Sequence, residues 1–125
     1  MLKKPGTVFI VDDDAAVRSA LKFALEVEGF SVCLYAGPEA LLADLDLPCC
    51  GCLVVDYRMP VMDGLQLIDA LRKRQVAMPA ILITGRANDG LRCLAARSGV
   101  SQVLEKPLSD GALVEGIRQA LGTCG

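Results

Sequence analysis

The stretch Thr7-Val8-Phe9-Ile10-Val11-Asp12-Asp13-Asp14 decides how the rest of the chain is read. Residues 7–11 are all β-branched or aromatic, the side chains that suit a pleated strand. No polar residue alternates with the apolar ones, so the run fits a strand covered on both faces, as in a parallel sheet under two layers of helix. It passes straight into three acids. Neighbouring carboxylates oppose one another's ionisation unless a cation joins them, so the junction of strand and acids marks both the fold and a candidate site.

Working outward, strand-like runs alternate with helical ones. Over Asp14 to Glu28, Val17, Ala20, Leu21, Ala24 and Leu25 recur at helical spacing, and Gly29 supplies a stop. Ser31 to Tyr35 reads as a second strand. Gly37-Pro38 opens a helix that continues through Ala40 to Leu45. Cys52 to Val55 is a third strand ending at Asp56. Asp63 is a suitable N-cap for a helix that buries Leu65, Leu67, Ile68 and Leu71. Ala80 to Ile83 is the fourth strand. Leu91, Leu94, Ala95 and Ser98 mark a helix closed by Gly99. Gln102 to Leu104 is a short fifth strand. Ser109 or Asp110 caps a last helix carrying Leu113, Val114, Ile117 and Leu121.

Five strand–helix units of this size imply an α/β, doubly wound sheet of five parallel strands, with right-handed crossovers and helices on both faces. Ligands of such sheets sit beyond the carboxyl ends of the strands. Asp12, Asp13, Asp56, Thr84 and Lys106 all fall at such ends. Singly, each has a bland explanation: a cap, a turn or an exposed loop lysine. Together they are the parts of a phosphoryl-transfer site. Hard carboxylate oxygens suit Mg²⁺, and a carboxylate can itself accept a phosphoryl group. The Lys106 ammonium and the Thr84 hydroxyl could then meet the remaining phosphoryl oxygens. Asp14 reads as a helix cap.

The bulk properties agree. A chain of 125 residues with 53% hydrophobic content is one packed domain. Its net charge of −2 carries no nucleic-acid footprint. The basic Met1 to Lys4 is followed by an apolar run too short for a signal peptide or a membrane span, so a soluble, cytoplasmic protein with no membrane partner is expected. Cys49-Cys50-Gly51-Cys52 holds a C-x-x-C pair. With no histidine in the chain and no second such pair, it reads as small apolar residues at a turn and strand start, not as a zinc or redox site.

Four segments carry a family resemblance: Val11-Asp12-Asp13-Asp14, Val55-Asp56-Tyr57-Arg58-Met59-Pro60-Val61-Met62-Asp63-Gly64, Ile83-Thr84-Gly85 and Glu105-Lys106-Pro107. In order and spacing they resemble the motifs of bacterial two-component response-regulator receiver domains, over essentially the whole chain. The Tyr57 to Pro60 stretch and the Ile83-Thr84-Gly85 turn are most similar to FixJ-type receivers. The resemblance implies a flavodoxin-like sheet of strand order 2-1-3-4-5. It implies that Asp56 is the phospho-acceptor, and that Asp12, Asp13, Asp56 and the backbone carbonyl of Arg58 hold Mg²⁺, with Mn²⁺ able to substitute. Thr84 and Lys106 would contact the phosphoryl group, and the Lys106-Pro107 peptide would be cis.

The same resemblance implies a sensor histidine kinase as partner. It describes a phospho-acceptor that assists its own phosphorylation and dephosphorylation, not an enzyme with a separate substrate. Phosphorylation would act on the face made by the fourth helix, fifth strand and fifth helix, with homodimerisation through it. FixJ-type receivers usually precede a helix-turn-helix domain. The closing Gly122-Thr123-Cys124-Gly125 reads as the start of a linker, so residues 1–125 are expected to be a receiver cut from a longer transcriptional regulator, with DNA contacted only through the absent domain. A stand-alone receiver, or a pseudo-receiver that docks partners without phosphorylation, is the alternative. One residue departs from the pattern. Receivers commonly carry Tyr or Phe three residues before the lysine, as a switch paired with Thr84. Here Val103 stands there, a stiff β-branched residue, so signalling through Thr84 and the fourth helix is expected without an aromatic flip. Arg58 and Arg86 would flank the pocket.

Other uses of the fold class fit poorly. A nucleotide or flavin site would want a glycine- or hydroxyl-rich first turn, the reverse of Asp12-Asp13-Asp14. A haloacid-dehalogenase-type phosphatase would want D-x-D-x-T there, which Asp12-Asp13-Asp14-Ala15-Ala16 does not supply.

Overall fold

A computed structural model describes residues 6–44, 47–48, 50–108 and 111–122. Five strands and five helices alternate: β1 (Thr7–Val11), α1 (Ala15–Val27), β2 (Val32–Tyr35), α2 (Pro38–Leu42), β3 (Gly51–Asp56), α3 (Gly64–Lys73), β4 (Ala80–Thr84), α4 (Asp89–Arg97), β5 (Val100–Glu105) and α5 (Ala112–Gly122). All strand pairs are parallel, in the order β2-β1-β3-β4-β5. The strand order therefore reverses at β1/β3, the switch point where such sheets place their sites.

The continuous apolar strands divide their side chains between two cores. Phe9, Val11, Leu53, Val55, Ala80 and Leu82 face α2, α3 and α4, packing on Leu41, Leu65, Leu67, Ile68, Leu71, Leu91 and Ala95. The intervening Val8, Ile10, Cys52, Val54, Ile81 and Ile83 face α1 and α5, packing on Leu25, Leu113, Ile117 and Ala120. A period of two sorts a strand's residues between the faces. Because both faces are covered, the sequence shows no polar alternation.

Helix ends follow local chemistry. Asp14 caps α1, its Oδ1 accepting from the Ala16 and Val17 amides at 2.9 and 3.3 Å. Asp63 and Gln66 form a reciprocal capping box on α3. Gly29 and Gly99, at φ 95° and 78°, end α1 and α4 in the left-handed region.

Several boundaries differ from the sequence expectation. The second helix covers Pro38–Leu42 and does not run on toward residue 45. The Leu42 carbonyl accepts from the Arg74 guanidinium instead, and Asp44 Oδ2 accepts from the Tyr35 hydroxyl at 2.6 Å. The fifth strand is longer than Gln102 to Leu104. Its polar residues hid it, because an edge strand keeps one side wet; a bulge at Ser101 lets Val100 pair with Ala80 and Gln102 with Ile81. The expected cap at Ser109 or Asp110 lies outside the described residues, as does Cys49. Cys52 is the apolar filler expected, with burial pushing its thiol up to about 12. Cys50 is disulfide-bonded, which the apolar reading of that segment did not foresee. Among the described residues no helix is long and apolar enough to cross a membrane.

Candidate functional site

Asp12 and Asp13 leave the carboxyl end of β1, and Asp56 is the last residue of β3. Register does the rest: Val11 pairs with Val55 in adjacent parallel strands, so the residues that follow emerge side by side. Carboxylate oxygens of Asp12, Asp13 and Asp56 lie within 4.8 Å of one another, a group able to hold a metal ion. Asp12 and Asp56 are buried, while Asp13 is exposed.

Burial raises the Asp56 pKa, and the charge of Asp12 raises it further; the Lys106 ammonium works against both. Burial also raises Asp12, offset by the Asp14 amide, which donates to Asp12 Oδ1 at 2.8 Å, and by Lys106. Lys106 Nζ stands 3.5 Å from Asp56 Oδ1. One ammonium among three acids leaves an excess of negative charge, which oxygen-seeking cations satisfy.

The surrounding loops are fixed by backbone bonds. Tyr57 N–H donates to the Ile83 carbonyl at 2.7 Å, and Gly64 N–H to the Tyr57 carbonyl at 2.8 Å. Gly64 is required by close approach: a Cβ there would stand 2.7 Å from the Asp56 carbonyl oxygen and 2.8 Å from Leu82 Cδ1. Between them, Val61 is 94% exposed and held at φ 74°, in a tight turn closed by the Met62 amide on the Pro60 carbonyl at 2.8 Å. The Arg18 guanidinium donates to the Asp12 carbonyl at 2.7 Å and so ties α1 to the site. Lys106 N–H donates to the Thr84 carbonyl at 2.8 Å, and the Lys106-Pro107 peptide is cis as expected.

The structure thus brings Asp12, Asp13, Asp56 and Lys106 together. Thr84 is buried at the end of β4, but its hydroxyl is engaged with the backbone of Arg86. Arg58 and Arg86 line one cleft of about 390 Å³ with Tyr57, Thr84, Asn88, Gly90, Leu91 and Leu94. Val103 is half-buried and packs into the core beneath α3 and α4. On α4, Leu91 is buried and Leu94 is 53% exposed. Sequence reading missed Glu105, whose carboxylate accepts from the Ala87 amide at 2.7 Å. It also missed Asn88, which caps α4 by accepting from the Leu91 amide at 2.8 Å. Asn one residue before the helical run was a legible signal; the Glu105 contact crosses between strands and left none.

A five-stranded sheet of this order, with an acid cluster facing a lysine at its switch point, defines a class, and comparison agrees. The chain belongs to the response regulator receiver domain family, whose family model matches residues 8–118. It is therefore a receiver of two-component signalling. It is similar to the transcriptional regulatory protein FixJ of Bradyrhizobium diazoefficiens, 36% identical over 116 residues, which cover 93% of this chain and 57% of that protein. It is also similar to the C4-dicarboxylate transport transcriptional regulatory protein DctR of Rhodobacter capsulatus, 38% identical over 111 residues, covering 87% of this chain and 56% of that one. The crystal structure of FixJ-N superposes with a TM-score of 0.86 at 36% identity, over 96% of both chains. The chain spans about half the length of the curated relatives it matches.

Proposed function

We propose that Asp56 accepts a phosphoryl group from the phosphohistidine of a sensor histidine kinase. The observation that carries this reading is the buried Asp56 carboxylate, held beside Asp12 and Asp13 and 3.5 Å from the Lys106 ammonium. An Asp56 carboxylate oxygen attacks phosphorus in line, forming the acyl phosphate O–P bond as the P–N bond to the histidine breaks. The imidazole nitrogen leaves with the bonding pair. Lys106 stands where it can neutralise one phosphoryl oxygen, and Thr84 can donate to another once its hydroxyl is released from Arg86. Positioning and charge neutralisation are what phosphoryl transfer mainly requires.

Asp12, Asp13, Asp56 and the Arg58 carbonyl would hold Mg²⁺, or Mn²⁺ in its place. Bound there, the ion supplies charge neutralisation to the phosphoryl oxygens. In this reading the chain is a phospho-acceptor that assists its own phosphorylation and dephosphorylation, not an enzyme. It is the regulatory part of a longer transcriptional regulator, cytoplasmic, with DNA contacted through a domain beyond this chain. The α4–β5–α5 face is the output surface, and phosphorylation drives homodimerisation through it.

Intact-mass spectrometry after incubation with acetyl phosphate tests the assignment. A gain of one phosphoryl group is expected, dependent on Mg²⁺ and absent in Asp56→Asn. Undiminished incorporation in Asp56→Asn would overturn it. Absence of incorporation, also with a phosphorylated histidine kinase as donor, would point to a phosphorylation-independent docking module.

A further inference from the structure

The turn between β4 and α4 is fastened on both sides. Thr84 pairs with Glu105 at the end of the β4–β5 ladder, and Lys106 N–H closes it on the Thr84 carbonyl at 2.8 Å. Beyond the ladder, Glu105 Oε2 accepts from the Ala87 amide at 2.7 Å. Between these two ties, Thr84 Oγ1 donates to the Arg86 carbonyl at 3.2 Å and accepts from the Arg86 amide at 3.3 Å. A hydroxyl has one proton to give. Thr84 can donate to a phosphoryl oxygen on Asp56 only by releasing the Arg86 carbonyl. That carbonyl belongs to the peptide whose N–H, at Ala87, Glu105 holds.

The alternative device, a side chain that swings at Val103, is not available. Val103 is β-branched and packed against the core. Glu105 is exposed, so its bond to Ala87 can break without opening the interior. A charge-assisted bond to a backbone amide is strong enough to bias a turn and weak enough to be released.

We propose that Glu105 is a positioning residue for Thr84: its carboxylate latches Ala87 in the resting turn, and release of this latch is how phosphorylation of Asp56 reaches α4. This rests on Asp56 being the acceptor. A ligand that prefers the released turn binds more tightly when the resting turn is weakened.

The test uses beryllium fluoride with Mg²⁺, a phosphoryl mimic on carboxylates, with wild type, Glu105→Ala and Glu105→Gln. Glu105→Gln keeps an oxygen acceptor and removes the charge. Probe affinity, hydrogen exchange of the Ala87 amide by NMR and the urea midpoint are measured. Glu105→Ala is expected to bind the probe about fivefold more tightly than wild type, as one net hydrogen bond predicts. Glu105→Gln, which keeps an acceptor but not the charge, should fall between wild type and Glu105→Ala, and the urea midpoint of Glu105→Ala should drop by no more than the loss of that one hydrogen bond accounts for. The Ala87 amide should be protected in free wild type, unprotected in Glu105→Ala, and lose protection in wild type saturated with probe. Persistent Ala87 protection in the saturated protein would overturn the latch alone. So would equal affinity of Glu105→Ala and wild type, or equal shifts in Ala and Gln, which would assign the effect to charge. Failure of wild type to bind the probe would overturn the acceptor reading, and the latch with it.

Discussion

Asp56 is the residue on which site chemistry and stability oppose one another. Burial and the neighbouring Asp12 raise its pKa above the ordinary 3.8, while Lys106 lowers it. Such an acid binds more protons folded than unfolded between its unfolded and folded pKa values. Stability therefore falls as pH rises through that window, and the cost is fully present above the folded pKa. Without divalent cation, Asp56→Asn is expected to stabilise the fold at pH 7, because it removes a carboxylate whose ionisation burial and Asp12 oppose. The gap to wild type should close as the pH approaches the ordinary carboxylate value. Lys106 loses its partner in this variant, but its side chain is 39% exposed and water screens the loss. Thermal midpoints at pH 7 and pH 4.5 decide the matter; a lower midpoint for Asp56→Asn at pH 7 would mean that the Lys106 contact outweighs the repulsion. The sequence placed both acids and the lysine, and their alignment at strand ends was legible. It did not show that Thr84 spends its hydroxyl on Arg86, because that bond depends on how the turn closes.

At the scale of the element, β3 and α3 are joined by a loop whose geometry leaves no slack. Gly64 begins α3 directly over the end of β3, and a Cβ there would meet the Asp56 carbonyl oxygen at 2.7 Å. That neighbour is backbone and cannot move aside alone. Gly64→Ala is therefore expected to cost about 1–3 kcal/mol, the usual penalty for overpacking, and to reduce phosphoryl incorporation by shifting the end of β3. A urea midpoint unchanged from wild type would refute the close approach. The elements whose apolar faces are continuous were readable from spacing alone: β1, β3, β4, α1 and α3. α2 and β5 were read with displaced ends because other parts of the fold set them. Arg74 takes the carbonyl of Leu42 at the end of α2, and the bulge at Ser101 sets the register of β5. The end of α4 is likewise held from a distance, by Arg72 donating to the Ser98 and Gly99 carbonyls, both at 3.2 Å.

The whole molecule is a switch if phosphorylation redistributes its conformations. Phosphorylation adds about −1.5 to −2 charge on a hydroxyl residue, and an acyl phosphate should be similar. Driving a two-state domain from nearly all resting to nearly all active takes ~5.5 kcal/mol of differential stabilisation. In the proposed function, contacts from the phosphoryl group to Lys106, Thr84 and a bound cation would be the sources. Leu94 is exposed on α4 and lines a cleft toward α3, whereas Arg92, Ala95, Ala96 and Val103 line the groove between α4 and β5. Light scattering after size exclusion is expected to report a monomer for the free chain and a dimer with acetyl phosphate and Mg²⁺. Asp56→Asn should remain monomeric in both conditions. A phosphorylated wild type that stays monomeric would remove dimerisation from the proposed output.

The sequence by itself determined the parallel sheet, its helices on both faces and the set of acids, threonine and lysine at strand ends. These are written in local pattern: unbroken β-branched runs, helical spacing, caps and glycine stops. Where those residues act on one another was decided only by tertiary structure. The pairing of Val11 with Val55 brings Asp12 and Asp13 to Asp56, and the close approach of β5 to β4 gives Ala87 to Glu105. Such contacts join residues distant along the chain, and they depend on strand order and register, which no short stretch of sequence contains.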